Sequence, residues 1–98
     1  MVTHIVLLQP KPGATEDQIL IALKHVQSLQ QTIPGIIDVQ VGKNLNGSNR
    51  GYTYGFIMHF ADAEIYREYA PHPAHQPVSQ ELQRLCESII DFDLAPSE

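Results

Sequence analysis

The stretch "IIDVQVGKNLNGSNRGYTYGFIMHF", residues 36–60, contains two apolar segments separated by a polar loop. The first segment alternates apolar and polar residues through Ile37, Val39 and Val41, which is typical of a half-exposed strand. The second places five large side chains on one face, namely Tyr52, Tyr54, Phe56, Met58 and Phe60. Residues 43–51 are rich in Asn, Gly and Ser and predict a long hairpin loop. Two strands joined by a hairpin predict an antiparallel sheet.

Before this hairpin, the sequence predicts a strand followed by a capped helix. "THIVLLQ", residues 3–9, is apolar on both faces and predicts a strand that is covered on two sides. Prolines and a glycine then end the strand, and Thr15 with Gln18 has the spacing of a capping box at a helix start. The predicted helix ends before Pro34 and Gly35. Its apolar stripe consists of Ile19, Leu23, Val26 and Ile33, with Leu29 close to it.

After the hairpin, two further helices and a last strand are predicted. Asp62 can cap a short helix that ends near Tyr69, because the following "APHP" interrupts helical geometry. Pro73 suits the first position of the next helix, which makes His72 its expected N-cap. The apolar stripe predicted for that helix is Val78, Leu82, Leu85 and Ile89. "IIDFDL", residues 89–94, predicts the closing strand.

The predicted order is strand, helix, strand, strand, helix pair, strand, within one domain spanning residues 1–98. This order indicates an α+β fold, a ferredoxin-like sandwich with an antiparallel sheet and its helices on one face. The other face of the sheet is then left without cover. Because the faces of the first and third strands are too apolar to stay in water, we expect a homodimer formed through the open sheet face.

Composition excludes several classes of partner. Six basic and eleven acidic residues give a formal net charge of −5, and the basic residues are scattered along the chain, so nucleic-acid binding is not expected. The N-terminal apolar run is too short for a signal core or a membrane span. Cys86 is the only cysteine, which excludes an intrachain disulfide. We therefore expect a cytoplasmic protein without membrane association.

The segment "EYAPHPAHQ", residues 68–76, contains the strongest candidate for chemistry. His75 falls in the first turn of a predicted helix, where the positive helix end favours a neutral imidazole. With the nearby Tyr69 it would form an acid/base pair suited to a carbonyl compound. Two other interpretations remain open. In one the prolines only stiffen a helix corner, and in the other His72 and His75 bind a metal ion at i, i+3 spacing. No third ligand adjoins them in sequence.

Three stretches, "VTHIVLLQPKPGATEDQI", "IPGIIDVQVGKNLNGSNRGYTYGFIMHF" and "EYAPHPAHQPV", together resemble the stress-responsive A/B barrel (Dabb) domain family. The most specific motifs are "HPAH" and "VGKN" followed by "RGYT". The resemblance runs from His4 to Asp93. It implies a dimeric α+β barrel built from ferredoxin-like protomers, with no cofactor. Most members of this family have no known reaction. Some plant members are stress-induced stable oligomers, and one branch contains cofactor-free cyclases that close a linear polyketide thioester by aldol condensation.

The resemblance also implies roles for single residues. In the cyclase branch the matching tyrosine and histidine act on the substrate, so Tyr69 would polarise a carbonyl and His75 would abstract a proton. The expected ligand pocket consists of His4, Val6, Leu8, Tyr54 and Phe56. The chain departs from that branch at Val26, Tyr54 and Cys86, which changes the expected pocket shape. With the resemblance, we expect a Dabb-family homodimer of undetermined biochemical role that binds a small hydrophobic ligand. The alternatives are a cofactor-independent polyketide cyclase-like enzyme and a stress-linked oligomer.

Overall fold

The computed structural model describes residues 1–96 and contains four strands and three helices within them. In chain order these are β1 (Val2–Pro10), α1 (Glu16–Thr32), β2 (Ile36–Lys43), β3 (Tyr54–Phe60), α2 (Ala63–Tyr69), α3 (His75–Leu85) and β4 (Cys86–Leu94). The strands form one antiparallel sheet in the order β2-β3-β1-β4. The predicted ferredoxin-like α+β fold is confirmed.

Helix α1 has the start that its sequence predicts. The Thr15 side chain accepts a hydrogen bond from the backbone N–H of Gln18, and the Gln18 side chain accepts one from the backbone N–H of Thr15. Its buried residues are Ile19, Ala22, Leu23, Val26 and Leu29. At the other end Ile33 caps the helix, and Gly35 turns the chain into β2 with a φ of 93°. Few residues other than glycine adopt that φ readily.

The two faces of the sheet differ in burial. Along β1 and β3 every second residue is buried under the helices, through Val2, His4, Val6 and Leu8 on β1 and Tyr54, Phe56, Met58 and Phe60 on β3. The intervening residues form the open sheet face. Four large apolar side chains on this face are exposed, namely Leu7, Ile90, Phe92 and Leu94. The open sheet face is therefore apolar over β1 and β4.

Two predicted helix boundaries were wrong. Helix α3 begins at His75 rather than at Pro73, because His72 forms a separate turn in front of it: the His72 ring Nδ1 accepts from the Ala74 N–H at 3.0 Å. The same helix ends at Leu85, so Ile89 lies in β4 and not on the helical stripe. Ile89 pairs with Leu8 of β1, and its backbone belongs to the sheet ladder. Within residues 1–96, the helices are all too short or too polar to cross a membrane.

Candidate active site

A cavity of about 500 Å³ lies between helices α2 and α3 and the helix-facing side of the sheet. Its apolar walls are Val6, Val26, Phe56, Val78, Leu82 and Ile89. Its side chains with acid or base chemistry are His4, Tyr66, Tyr69, His75, Asp91 and Asp93. The cavity therefore combines an apolar wall with several groups that can accept or donate a proton.

His75 is held at the cavity wall by the corner between α2 and α3. Two successive turns form this corner, since the His72 N–H donates to the Tyr69 carbonyl and the His75 N–H donates to the His72 carbonyl. The His75 ring Nδ1 lies 3.1 Å from the Ala70 carbonyl oxygen. A carbonyl oxygen only accepts, so Nδ1 carries the proton. In the neutral ring Nε2 is then an acceptor, and the structure gives it no hydrogen-bond partner in residues 1–96.

The pKa of His75 is lowered from its ordinary value of 6.5, chiefly because burial disfavours the charged ring. The neighbouring His4 lowers it further, whereas the Ala70 carbonyl and Asp91 act in the opposite direction. A neutral imidazole at His75 agrees with the sequence expectation. The main physical cause, however, is burial and not the position at the helix end.

Tyr69, the last residue of α2, packs against His75. The two ring centroids are 4.5 Å apart in an edge-on arrangement. The Tyr69 side chain is only 5% exposed, and its hydroxyl has no hydrogen-bond partner in the described part of the chain. Every fully buried side-chain oxygen or nitrogen in residues 1–96 has a hydrogen-bond partner. The unbonded Tyr69 hydroxyl is therefore not fully buried, and Tyr69 lines the cavity. Burial, with a smaller effect of the Asp91 charge, raises the pKa of Tyr69 strongly, so the phenol stays protonated.

A second polar group joins three elements across the cavity. The His4 ring Nδ1 lies 2.5 Å from Asp93 Oδ1, and the Tyr66 hydroxyl donates to Asp93 Oδ2 at 2.5 Å. His4 comes from β1, Tyr66 from α2 and Asp93 from β4, where Asp93 is the register partner of His4. Burial alone would raise the pKa of Asp93, but the hydrogen bonds from His4 and Tyr66 outweigh it and lower that pKa. Asp93 is therefore an ionised acceptor.

The structure places five of the seven predicted site residues around one cavity. These are His4, Val6, Phe56, Tyr69 and His75. Leu8 and Tyr54 are not in the cavity wall. They pair with each other one step further along the sheet, where Leu8 is fully buried in the core and Tyr54 lies beside the Glu16–Lys43 ion pair.

Sequence reasoning missed Tyr66, Asp91 and Asp93 as site residues. One signal was present: in "IIDFDL" the two aspartates share a strand face with Ile89, whereas the opposite face is apolar. That pattern brings both carboxylates to the helix-facing side of β4. No group of three or more His, Cys, Asp or Glu side chains in residues 1–96 is arranged to hold a metal ion.

Comparisons with known proteins agree with this fold. The sequence profile of the Stress responsive A/B Barrel Domain (Dabb) matches residues 2–96. Olivetolic acid cyclase from Cannabis sativa is 31% identical over 97 residues, covering 97% of this chain and 96% of the cyclase.

Solved structures show the same architecture. An Arabidopsis thaliana protein superposes with a TM-score of 0.90 at 25% identity, over 100% of this chain and 97% of its own. A dimeric ferredoxin-like protein of unknown function from Jannaschia sp. superposes with a TM-score of 0.84 at 29% identity, over 97% of this chain and 98% of its own. With a profile match across nearly its whole length, this chain belongs to the stress-responsive A/B barrel domain family.

Proposed function

We propose that this chain forms a homodimer whose cavity binds a small, largely hydrophobic carbonyl compound and acts on it without a cofactor. The reaction is of the aldol type, in which an enolised carbon attacks a second carbonyl group. The observation that carries this proposal is the fixed tautomer of His75. The His75 Nδ1–H donates a hydrogen bond to the Ala70 carbonyl. In the neutral ring Nε2 is then unprotonated and can act as a base for a ligand in the cavity that His75 lines.

His75 is suited to remove a proton from carbon. A base must be unprotonated near neutral pH, and the lowered pKa of His75 favours that state. Its Nε2 takes the proton from the carbon next to a carbonyl group, and the electron pair of the broken C–H bond forms the enolate.

Tyr69 is suited to stabilise the enolate oxygen. Its hydroxyl remains protonated because its pKa is raised, so it can donate a hydrogen bond as negative charge develops. Edge-on contact with His75 keeps donor and base side by side. This division of roles supports an acid/base site, and the named relative that aligns over almost the full chain is a cyclase.

The apolar part of the cavity favours a ligand with a hydrocarbon portion. Val26, Phe56 and Leu82 are buried members of the core that also line the cavity. Cavities of several hundred cubic ångströms with apolar walls and a few polar groups are typical of small-molecule sites. A linear acyl chain carrying several ketone groups fits both features.

The proposal is tested with a linear poly-β-ketoacyl thioester of N-acetylcysteamine. Mass spectrometry measures formation of the cyclised product with the wild-type protein and with the variants His75→Gln and Tyr69→Phe. We expect His75→Gln to lower kcat/KM by roughly 100-fold or more, since general-base catalysis typically contributes a factor of this size. Tyr69→Phe, which removes one hydrogen bond to the developing oxyanion, should also cost roughly 100-fold.

The matched control is His25→Gln. His25 is exposed on α1 and bonds to Glu81 outside this cavity. It should leave the rate unchanged. Equal rates for the wild type and a folded His75→Gln protein would contradict the proposal.

A further inference from the structure

We propose that His4 is a second catalytic residue of this cavity, a proton donor, and that Asp93 and Tyr66 position it. This inference deepens the proposed function, because the acceptor carbonyl of an aldol-type reaction needs a proton once the new carbon–carbon bond forms. His75 and Tyr69 serve the enolising carbonyl. His4 serves the other one.

The geometry of His4 differs from that of a histidine that only fills a core. Its Nδ1 donates to Asp93 Oδ1 at 2.5 Å, because an ionised carboxylate accepts only. Its ring is wedged edge-on between aromatic residues of β3 and α2, with centroid distances of 5.9 Å to Phe56 and 5.7 Å to Tyr69. The ring is thus fixed at one nitrogen and on its sides, and Nε2 has no hydrogen-bond partner among the described residues.

The two histidines flank Tyr69. The ring centroid of Tyr69 lies 5.7 Å from that of His4 and 4.5 Å from that of His75. A substrate whose first carbonyl oxygen accepts from the Tyr69 hydroxyl would therefore lie in the cavity that both imidazoles line.

The partner of Nδ1 decides which role each ring takes. His75 bonds to a neutral carbonyl, whereas His4 bonds to a carboxylate. A carboxylate at Nδ1 stabilises a positive ring, as in hydrolase triads where an aspartate supports the imidazolium. We therefore assign the donor role to His4, whose Nδ1 bonds to a carboxylate, and the base role to His75, whose Nδ1 bonds to a carbonyl.

The proton and electron count closes over one cycle. His75 Nε2 takes a proton from the α-carbon, and the enolate carbon attacks the second carbonyl carbon. A carbon–carbon bond forms, the π pair of that carbonyl moves to its oxygen, and His4 Nε2–H gives the oxygen a proton. Water then returns a proton to His4 and accepts one from His75.

Asp93 and Tyr66 act through His4 and are positioning residues. The Tyr66 hydroxyl occupies Asp93 Oδ2, so the carboxylate offers Oδ1 to His4 in one orientation. The other charged or titratable side chains of the cavity are Tyr69 and Arg67 on α2, His75 on α3 and Asp91 on β4. Of the two aspartates on β4, Asp93 is the one bonded to a histidine.

The test separates enolisation from bond formation. The poly-β-ketoacyl thioester of N-acetylcysteamine is incubated in D2O, and mass spectrometry follows deuterium uptake by recovered substrate and the appearance of cyclised product. Rates without protein are subtracted. His4→Gln should retain deuterium exchange within about twofold and lose cyclisation by roughly 100-fold, whereas His75→Gln loses both.

Each other outcome contradicts a defined part of the proposal. If His4→Gln loses exchange and cyclisation equally, or loses neither, His4 is not the donor while the proposed function stands. If the wild-type protein accelerates neither step, the proposed function and this inference both fail.

The positioning role has a readout without substrate. In the free protein, NMR should detect a downfield Nδ1 proton of His4 that disappears in Asp93→Asn and persists in Asp91→Asn. Tyr66→Phe should keep this proton, and should lower cyclisation less than Asp93→Asn does. Absence of the downfield proton from the folded wild type would overturn the assignment of Asp93 as the partner of His4.

Discussion

His4 and His75 illustrate how the partner of one ring nitrogen sets the chemistry of the other. Both rings donate through Nδ1, one to a carboxylate and one to a backbone carbonyl. Burial lowers the pKa of His75, whose bonded partner is uncharged, whereas the bonded partner of His4 is the Asp93 carboxylate. The roles proposed for these two histidines of one cavity, proton donor and base, follow from this difference.

The lowered pKa of His75 predicts a pH-dependent stability. Below about the ordinary value of 6.5 the unfolded chain binds a proton that the folded chain does not yet bind. Stability rises with pH wherever the unfolded state binds more protons. The free energy of unfolding of the wild type should therefore fall as the pH is lowered from 7 towards the folded pKa. Urea denaturation at a series of pH values measures it.

The variant His75→Gln should lose the part of the pH dependence of the unfolding free energy that His75 causes. The variant His25→Gln should retain that part. Asp93 contributes in a different range. Its lowered pKa gives stability above the ordinary value of 3.8, and this stability is lost as the pH falls through the folded pKa. An unchanged slope between pH 7 and 5 in His75→Gln would show that His75 is not the group responsible.

At the residue scale, Tyr69 and His75 could be proposed as site residues from the sequence. The hydrogen bonds that join Asp93 to His4 and Tyr66 could not. The "HPAH" spacing is local, so a helix corner with a tyrosine and a histidine could be predicted directly. The bonds of Asp93 join it to residues 27 and 89 positions away in the chain. They exist only because β4 pairs with β1 in one register. The alternation of apolar and polar residues along β4 indicates which sheet face Asp93 lies on. It does not indicate which residue of β1 pairs with Asp93.

At the scale of elements, the turn between α1 and β2 holds α2 in place. The Gly35 carbonyl accepts from the Ala61 N–H at 2.8 Å, just before α2. A Cβ added at Gly35 would come within 2.7 Å of the Ile65 side chain. Helix α2 carries Tyr66 and Tyr69, so this contact connects a turn outside the cavity with two side chains in its wall.

Gly35→Ala should destabilise the protein by about 2 kcal/mol. The φ of 93° is unfavourable for alanine, and the added methyl group meets Ile65. Urea denaturation at neutral pH measures the change. In the matched control Gly47→Ala, no atom lies within 4 Å of the added Cβ, and the free energy of unfolding should be unchanged or slightly higher. Equal stability of the two variants would contradict the role assigned to this turn.

Most elements were predictable because their apolar periodicity is long and clear, as along α1 and β3. The end of α3 was not. Ile89 continues the helical stripe of Val78, Leu82 and Leu85, and it also begins the alternation of the last strand. Because Ile89 fits both the helical and the strand period, periodicity alone cannot assign it to a helix or a strand. In the structure Ile89 pairs with Leu8 and belongs to the sheet.

At the scale of the whole molecule, the open sheet face exposes large apolar side chains that no helix of the described residues covers. Its exposed apolar residues belong to β1 and β4, whereas β2 and β3 contribute the polar pair Asp38 and His59 on the same face. Contiguous apolar surface of this kind usually marks an interface. A second copy placed on this face would cover the apolar strands and complete the barrel implied by the family.

The proposed homodimer predicts a mutation that separates the chains without touching the cavity. Phe92 is 57% exposed on the open sheet face, so Phe92→Glu would place a charge in the centre of the apolar strands of each copy. Leu45 is 96% exposed in the loop before β3, and Leu45→Glu is the matched control. Light scattering at micromolar concentration should give twice the 11.0 kDa chain mass for the wild type and Leu45→Glu, and a single chain mass for Phe92→Glu. A wild-type protein that scatters as a single chain would contradict the dimer, and a dimeric Phe92→Glu would place the interface elsewhere.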